Sequence, residues 1–204
     1  MWFKRIVQML FFSLKLGKKI PFKIYGSAAI KIKKSAKLNL NGRLNIGLKK
    51  NEAVVSVLPV NLFLGNNSNT SLGHSVCLGP GVNIIVKDNA SLIIGNGTYF
   101  TSDLHLEAEQ EIKIGENCAI SWGTTIIDSN HHHIILENKK QDFKGKVLIG
   151  NHVWIGCNVT ILKDSIIGDN SIVAAGSIVR GSFPPNSLIV GNPAVVAKSN
   201  INWE

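Results

Sequence analysis

The first fifty residues contain no aspartate and no glutamate, yet they carry 13 lysines and arginines. The other 154 carry 9 basic and 13 acidic residues, so the formal charge of +9 is a basic N-terminal segment joined to a mildly acidic body. Such asymmetry points to a polyanionic partner, either anionic lipid or nucleic acid. The chain lacks an aromatic-basic RNA motif and any recognition-helix pattern, which argues against nucleic acid and favours lipid. Cysteine is scarce. Cys77, Cys118 and Cys157 are odd in number, far apart and form no CxxC pair. This excludes a disulfide framework and a thiolate zinc site, and suits a reducing cytoplasm. No GxSxG elbow is present, so a serine nucleophile of that kind is excluded. The apolar stretch from Ile6 to Phe12 is far short of the roughly 20 residues that cross a bilayer, and no small-x-small cleavage site follows it. What the chain does have is 45% hydrophobic residues and 19 glycines in 204 positions, the composition of one turn-rich ordered domain with a sizeable core.

Residues 1–20, "MWFKRIVQMLFFSLKLGKKI", read as a basic amphipathic helix. Lys4, Gln8, Lys15 and Lys19 lie roughly on one face, and Trp2, Phe3, Ile6, Met9, Leu10 and Phe11 crowd the rest. Two readings stay open. The helix lies in a membrane interface, held by apolar burial and by attraction to anionic headgroups, or it packs on its own body or on a subunit neighbour.

From Ile149 onward aliphatic residues recur every six positions: Ile149, Ile155, Ile161, Ile167, Val173 and Val179. Glycine or alanine follows most of them, and a small or β-branched residue stands four places on, at Val153, Val159, Ser165, Ser171 and Ser177. The register returns at Ile114, Ile120 and Ile126, at Leu72 and Leu78, and in degenerate form at Ile32, Leu38 and Leu44. A helix of period 3.6 would not keep every sixth residue on one side, and a half-buried strand would alternate with period 2. Period six with glycine predicts a solenoid of short parallel strands and tight corners, three hexapeptides to a coil.

These hexapeptides resemble the left-handed parallel β-helix acyltransferases, which include galactoside, maltose and serine acetyltransferases, and within them the polysaccharide O-acetyltransferase branch. The likeness is strongest over 112–198 and looser from about 28 to 111. It implies an all-β solenoid over 21–198, with a C-terminal tail at 199–204. The left hand comes from the resemblance, since isolated parallel crossovers prefer the right.

The register breaks between Ile126 and Ile149, so 128–146, "DSNHHHIILENKKQDFKGK", is expected to leave the coil as a protruding loop. It opens on three adjacent histidines. Imidazole is mostly neutral at pH 7 and suits the removal of a hydroxyl proton. "IGENCAISWGTTIIDSNHHH" is similar to the stretch before the catalytic histidine of sugar O-acetyltransferases. The polysaccharide branch, the nearer likeness, places the base at His132, which is the favoured reading; the galactoside and maltose enzymes place it at His131. Asp128 then orients the imidazole or caps its own loop. A zinc site of the γ-class carbonic anhydrase kind is the rival, but three adjacent side chains alternate in direction and converge poorly on one ion. No metal is expected. His74 and His152, inside hexapeptides, read as wall residues.

The run from 147 to 198 resembles the coenzyme A groove of the family, ending in Pro184-Pro185-Asn186 and then Gly191-Asn192-Pro193-Ala194. Prolines cannot feed the ladder, so the coils stop there. The resemblance assigns Trp154, Gly156, Cys157, Ala175, Gly176 and Ser177 to the pantetheine arm, and Arg180 and Lys198 to the nucleotide phosphates. It implies acetyl-CoA as co-substrate, a sugar or polysaccharide acceptor, direct transfer to a hydroxyl, and a homotrimer with sites between subunits. The expected location is the cytoplasm, with peripheral contact to the inner face of a bacterial plasma membrane through residues 1–20. N-acetylation of an amino-sugar nucleotide, a serine-type acceptor and an inactive β-helix scaffold are the alternatives.

Overall fold

The six-residue anchors all turn inward. In the computed structural model, which describes residues 22–47 and 58–204, Ile149, Ile155, Ile161, Ile167, Val173 and Val179 are each at most 3% exposed. Pairing explains the spacing. Ile149 stacks on Ile167, Ile155 on Val173 and Ile161 on Val179, so each residue meets its equivalent one coil further along. Three anchors per coil give three walls of parallel strands around a narrow aliphatic core.

The first wall runs from Phe22–Ile24 through Leu44–Ile46, Cys77–Leu78, Tyr99–Phe100, Ala119–Ile120, Trp154–Ile155 and Ile172–Val173 to Ser187–Gly191. The second holds Ala28–Ile32, Val60–Leu64, Asn83–Val86, His105–Ala108 and Thr125–Ile127; the third holds Lys37–Leu40, Asn69–Leu72, Ser91–Ile94, Glu111–Ile114 and Val147–Ile149. Thr160–Ile167 and Ile178–Phe183 each bend round the corner and serve both of the last two walls, with a register shift between Ile161 and Ser165. The degenerate early anchors fall one on each wall, and of these Ile32 and Leu38 are only half-buried.

Most corners after Val60 turn sharply through a left-handed residue, the Glu109–Gln110 corner being an exception. Between the third and first walls these residues form a column: Ser75, Gly97, Asn117, His152, Asn170 and Asn186, all with φ between +53° and +69°. From Gly97 onward each amide of the column donates to the coil before it, as in Asn117 to the Asn96 carbonyl at 2.8 Å and His152 to the Glu116 carbonyl at 2.7 Å. The glycine after an anchor has a different cause. A Cβ on Gly156 would lie 2.6 Å from the Ala175 nitrogen, so the next coil could not stack.

The last strand, Ala194–Ser199, runs antiparallel to Ser187–Gly191 and closes the first wall. The residues after it are tied down. The Ile201 amide donates to the Asn186 carbonyl, and Trp203 stacks on His152 at 4.2 Å while its Nε1 donates to the His152 carbonyl at 2.8 Å. The amphipathic helix expected at 1–20 lies outside the described residues. Among those described, no helix is long and apolar enough to cross a membrane.

Candidate active site

The solenoid opens where the sequence register breaks. Ile126 on the second wall stacks on Ile161, 35 residues on, so 128–146 is extra chain inserted at the corner between the second and third walls. Its stem is a short antiparallel ladder. Asn130 N–H donates to the Phe143 carbonyl at 2.7 Å, the Gly145 N–H donates to the Asp128 carbonyl at 2.9 Å, and Ser129 bridges Lys144. Its tip is the hairpin of Ile135–Leu136 and Lys139–Lys140, turned by Glu137 and Asn138, both at positive φ as a two-residue hairpin loop demands.

Asp128 anchors this loop. Its buried carboxylate accepts the backbone N–H groups of Glu109, Gln110 and Glu111 at 2.7, 2.8 and 2.7 Å, closing the corner of the coil before it. Burial pushes its carboxyl above the ordinary value, and the three amides pull it back. Both oxygens are thus used on the backbone. The orienting role expected of Asp128 is not one its geometry offers, and neither does it cap its own loop.

The three histidines diverge. His131 sits in the left-handed region at φ +58°, its N–H donating to the buried Ser129 hydroxyl at 2.9 Å. That conformation aims its ring back over the coil, where Nδ1 lies 3.0 Å from Oε1 of Glu109 and 4.0 Å from Oε1 of Glu107. His133 turns away, with Nδ1 3.0 Å from the Gln141 carbonyl and its ring edge-on to Phe143. His132 is exposed and has no hydrogen bond or ion pair among the described residues. Only His131 therefore gains a carboxylate, and the residue that supplies it, Glu109, was not singled out by the sequence.

A run of charges surrounds the pair. Lys144 Nζ stands 3.5 Å from the other Glu109 oxygen, Lys87 stands 2.9 Å from Glu107 Oε1, and His105 Nε2 lies 3.5 Å from Glu107 Oε2. Burial raises the Glu109 carboxyl, but the His131 hydrogen bond and the charges of Lys144, His131 and Lys87 outweigh it and leave the group below its ordinary value. Glu107, Glu109 and His131 present ligand-type atoms within 4.8 Å of one another. The Lys87 and Lys144 ammonium groups already balance the two carboxylates, so no uncompensated charge is left to draw a cation. Beneath the loop tip lies a cleft of ≈ 470 Å³ lined by Ile134, Leu136, Lys144, Lys163, Asp164 and Arg180 among others.

The residues expected to face coenzyme A divide between surfaces. Trp154 is exposed on the first wall, in line with Ile172, Leu188 and Lys198 through successive pairings. Cys157, Ala175 and Gly176 form the corner between the first and second walls, with Gly176 N–H donating to the Cys157 carbonyl at 2.9 Å. Gly176 takes φ +72°, and open space would surround a Cβ there. That bare corner fits an extended pantetheine arm lying against backbone. Gly156 and Ser177 do not face it. Gly156 is filled against by the next coil, and the buried Ser177 hydroxyl accepts the Gly191 N–H at 3.0 Å. Arg180 stands on the opposite corner, 3.3 Å from Asp164 beneath the loop. One chain therefore carries the histidines and the Trp154 wall on different faces. Trp122, half-exposed on the bare corner just before Cys157 in the stack, belongs with this surface and was also missed by the sequence reading.

Comparison with known proteins agrees with this architecture. Residues 146–181 match the family described as "Bacterial transferase hexapeptide (six repeats)". A protein of the cps region of Klebsiella pneumoniae, described as an uncharacterized 24.8 kDa protein, is 32% identical over 98% of this chain and 87% of its own length. The putative lipopolysaccharide biosynthesis O-acetyl transferase WbbJ of Escherichia coli is 28% identical over 67% of this chain and 74% of its own. Among solved structures, the polysialic acid O-acetyltransferase OatWY superposes with a TM-score of 0.56 at 29% identity, covering 90% of both chains. A hexapeptide-repeat acetyltransferase of Vibrio cholerae, solved with acetyl-CoA, gives 0.54 at 26% identity over 65% of this chain and 70% of that one. The three-walled coil is thus the left-handed β-helix of these enzymes, and the chain belongs to the hexapeptide-repeat transferase family as an acetyltransferase that uses acetyl-CoA.

Proposed function

We propose that this acetyltransferase esterifies a hydroxyl of a bacterial surface polysaccharide, or of its sugar or lipid-linked precursor, with His131 as general base. The observation that carries the proposal is the His131 ring held at Nδ1 by Glu109, where the inserted loop opens the solenoid. A carboxylate there keeps the proton on Nδ1 and leaves the Nε2 lone pair free to accept another. His132, the base favoured from the sequence, has no such partner among the described residues, and this favours His131 in its place. Relatives named for lipopolysaccharide and polysialic acid O-acetylation support a glycan hydroxyl as acceptor.

Acetyl-CoA supplies an activated acyl carbon and a good thiolate leaving group. Nε2 of His131 takes the hydroxyl proton as the sugar oxygen bonds to that carbon, and returns it to the departing sulfur as the C–S bond breaks. Glu109 stabilises the imidazolium between these two transfers, and Lys144 holds Glu109 in place. We assign the donor arm to the bare corner of Cys157, Ala175 and Gly176 beside Trp154, with Lys198 on the same wall for its phosphates. Because His131 and Trp154 stand on different faces of one chain, a threefold assembly that brings one chain's loop to its neighbour's corner is the arrangement that unites them.

Replacing His131 by Ala is expected to lower kcat by about 10²–10⁴-fold, whereas His132→Ala costs less than about tenfold. Thiol release from acetyl-CoA across a panel of glycans checks this, with lability of the product to mild base identifying an ester. The reverse ranking of the two variants would overturn the assignment.

A further inference from the structure

The second wall carries two outward columns that lead to His131. One reads Ala29, Asn61, Asn83, His105, Thr125 and Thr160, each paired to the next. The other reads Lys31, Phe63, Ile85 and Glu107. Alternation along the strand fixes this. Leu62, Ile84 and Leu106 point into the core, so their neighbours face out. Asn61, Thr125 and Thr160 make no side-chain hydrogen bond among the described residues, and Asn83 meets only the His105 ring, at 3.1 Å. A strip of amides, an imidazole and hydroxyls thus lies beside a strip of Phe63 and Ile85, and Glu107 ends it within 4.0 Å of the His131 ring.

The far end of the strip is basic. Residues 22–47 contain Lys23, Lys31, Lys33, Lys34, Lys37 and Arg43, and no acid. Lys31 lies over the Phe63 ring at 5.9 Å, on the strip itself. Lys33 and Lys34 stand at the corner where that strand ends, and neither has a carboxylate partner among the described residues. Three rungs at about 4.8 Å separate Lys31 from Glu107, roughly 14 Å.

We infer that this face is a track for an extended anionic glycan. The chain's hydroxyls would meet the amide and threonine column, its C–H faces Phe63 and Ile85, and its carboxylates Lys31, Lys33 and Lys34. Charge complementarity and continuity with His131 both select this occupant. The inference rests on His131 as the reacting end, and it narrows the acceptor from any hydroxylated sugar to a negatively charged polymer.

The test separates the track from the chemistry. In the inactive His131→Ala full-length protein, binding of polysialic acid, polygalacturonate and neutral dextran is measured by titration calorimetry at low ionic strength. At least one acidic polymer is expected to bind and dextran is not, and the combined K31Q/K33Q/K34Q change is expected to weaken binding about tenfold, as 0.5 M salt should. In the active protein the same triple change should raise KM for the acidic polymer and leave KM for acetyl-CoA unaltered. Equal binding of dextran, no binding of either acidic polymer, or glycan binding indifferent to the three lysines overturns the track. So does a triple variant that releases the protein from phosphatidylserine vesicles while glycan binding persists. If His131→Ala keeps its turnover, the base assignment falls and the binding result still stands.

Discussion

At the scale of single residues, the opening of the coil depends on one carboxylate. Asp128 receives three backbone N–H groups that no other residue reaches, and it does so with a fully buried side chain. Removing it leaves three donors of a part-buried corner without protein acceptors. Asp128→Ala is expected to cost at least about 3 kcal/mol, read from urea unfolding, and to abolish turnover because the corner carrying Glu109 loses its tie. Asp128→Asn keeps one acceptor oxygen and should fall between the two. A stability change within about 0.5 kcal/mol of wild type would show that the amides find water instead. The residue pattern marked Asp128 as important but misplaced its work. Its position before the histidines suggested a partner for them, whereas its actual partners lie 17 to 19 residues earlier in the chain.

At the scale of elements, the inserted loop was legible as an interruption of the six-residue register, because an anchor spacing that fails is as visible as one that holds. What it does inside the interruption was not. The hairpin has no periodicity to betray it, and its turn uses Glu137 and Asn138 rather than the Asn-Gly or Asp-Gly pair that announces such a bend. Glu109 was hidden for a related reason. It stands 22 residues before His131, and only the true coil lengths bring the two together. Those lengths vary, from Leu78 over Phe100 to Ile120 over Ile155, and cannot be counted from degenerate repeats. The hairpin also exposes Ile134, Ile135 and Leu136 in sequence, at 56%, 72% and 61%. A neighbouring copy covering them is what the proposed assembly requires. Ile135→Ser combined with Leu136→Ser is expected to shift sedimentation from trimer toward monomer and to lower activity in proportion. Activity lost with the trimer intact would place these side chains on substrate instead.

At the scale of the whole molecule, a prism of stacked coils has two open ends, and each exposes strand edges and core. The C-terminal end is closed within the described chain. The last strand reverses against Ser187–Gly191, and the tail then returns across the corner column to place Trp203 flat on the His152 ring and 6.1 Å from the Trp154 ring. This closure joins stability to the donor surface, since the same indole caps the coils and flanks the exposed Trp154. Deleting residues 200–204 removes the Ile201 and Trp203 hydrogen bonds and the stacked ring together. A loss of about 1–2 kcal/mol is expected, lowering Tm by a few degrees for a chain of this size. If Trp154 lines the donor groove, KM for acetyl-CoA should rise while KM for the glycan stays constant, and Trp203→Phe should restore most of both the stability and the KM. A deletion that lowers Tm but leaves KM for acetyl-CoA unchanged would confine Trp203 to the cap and detach the Trp154 face from the donor.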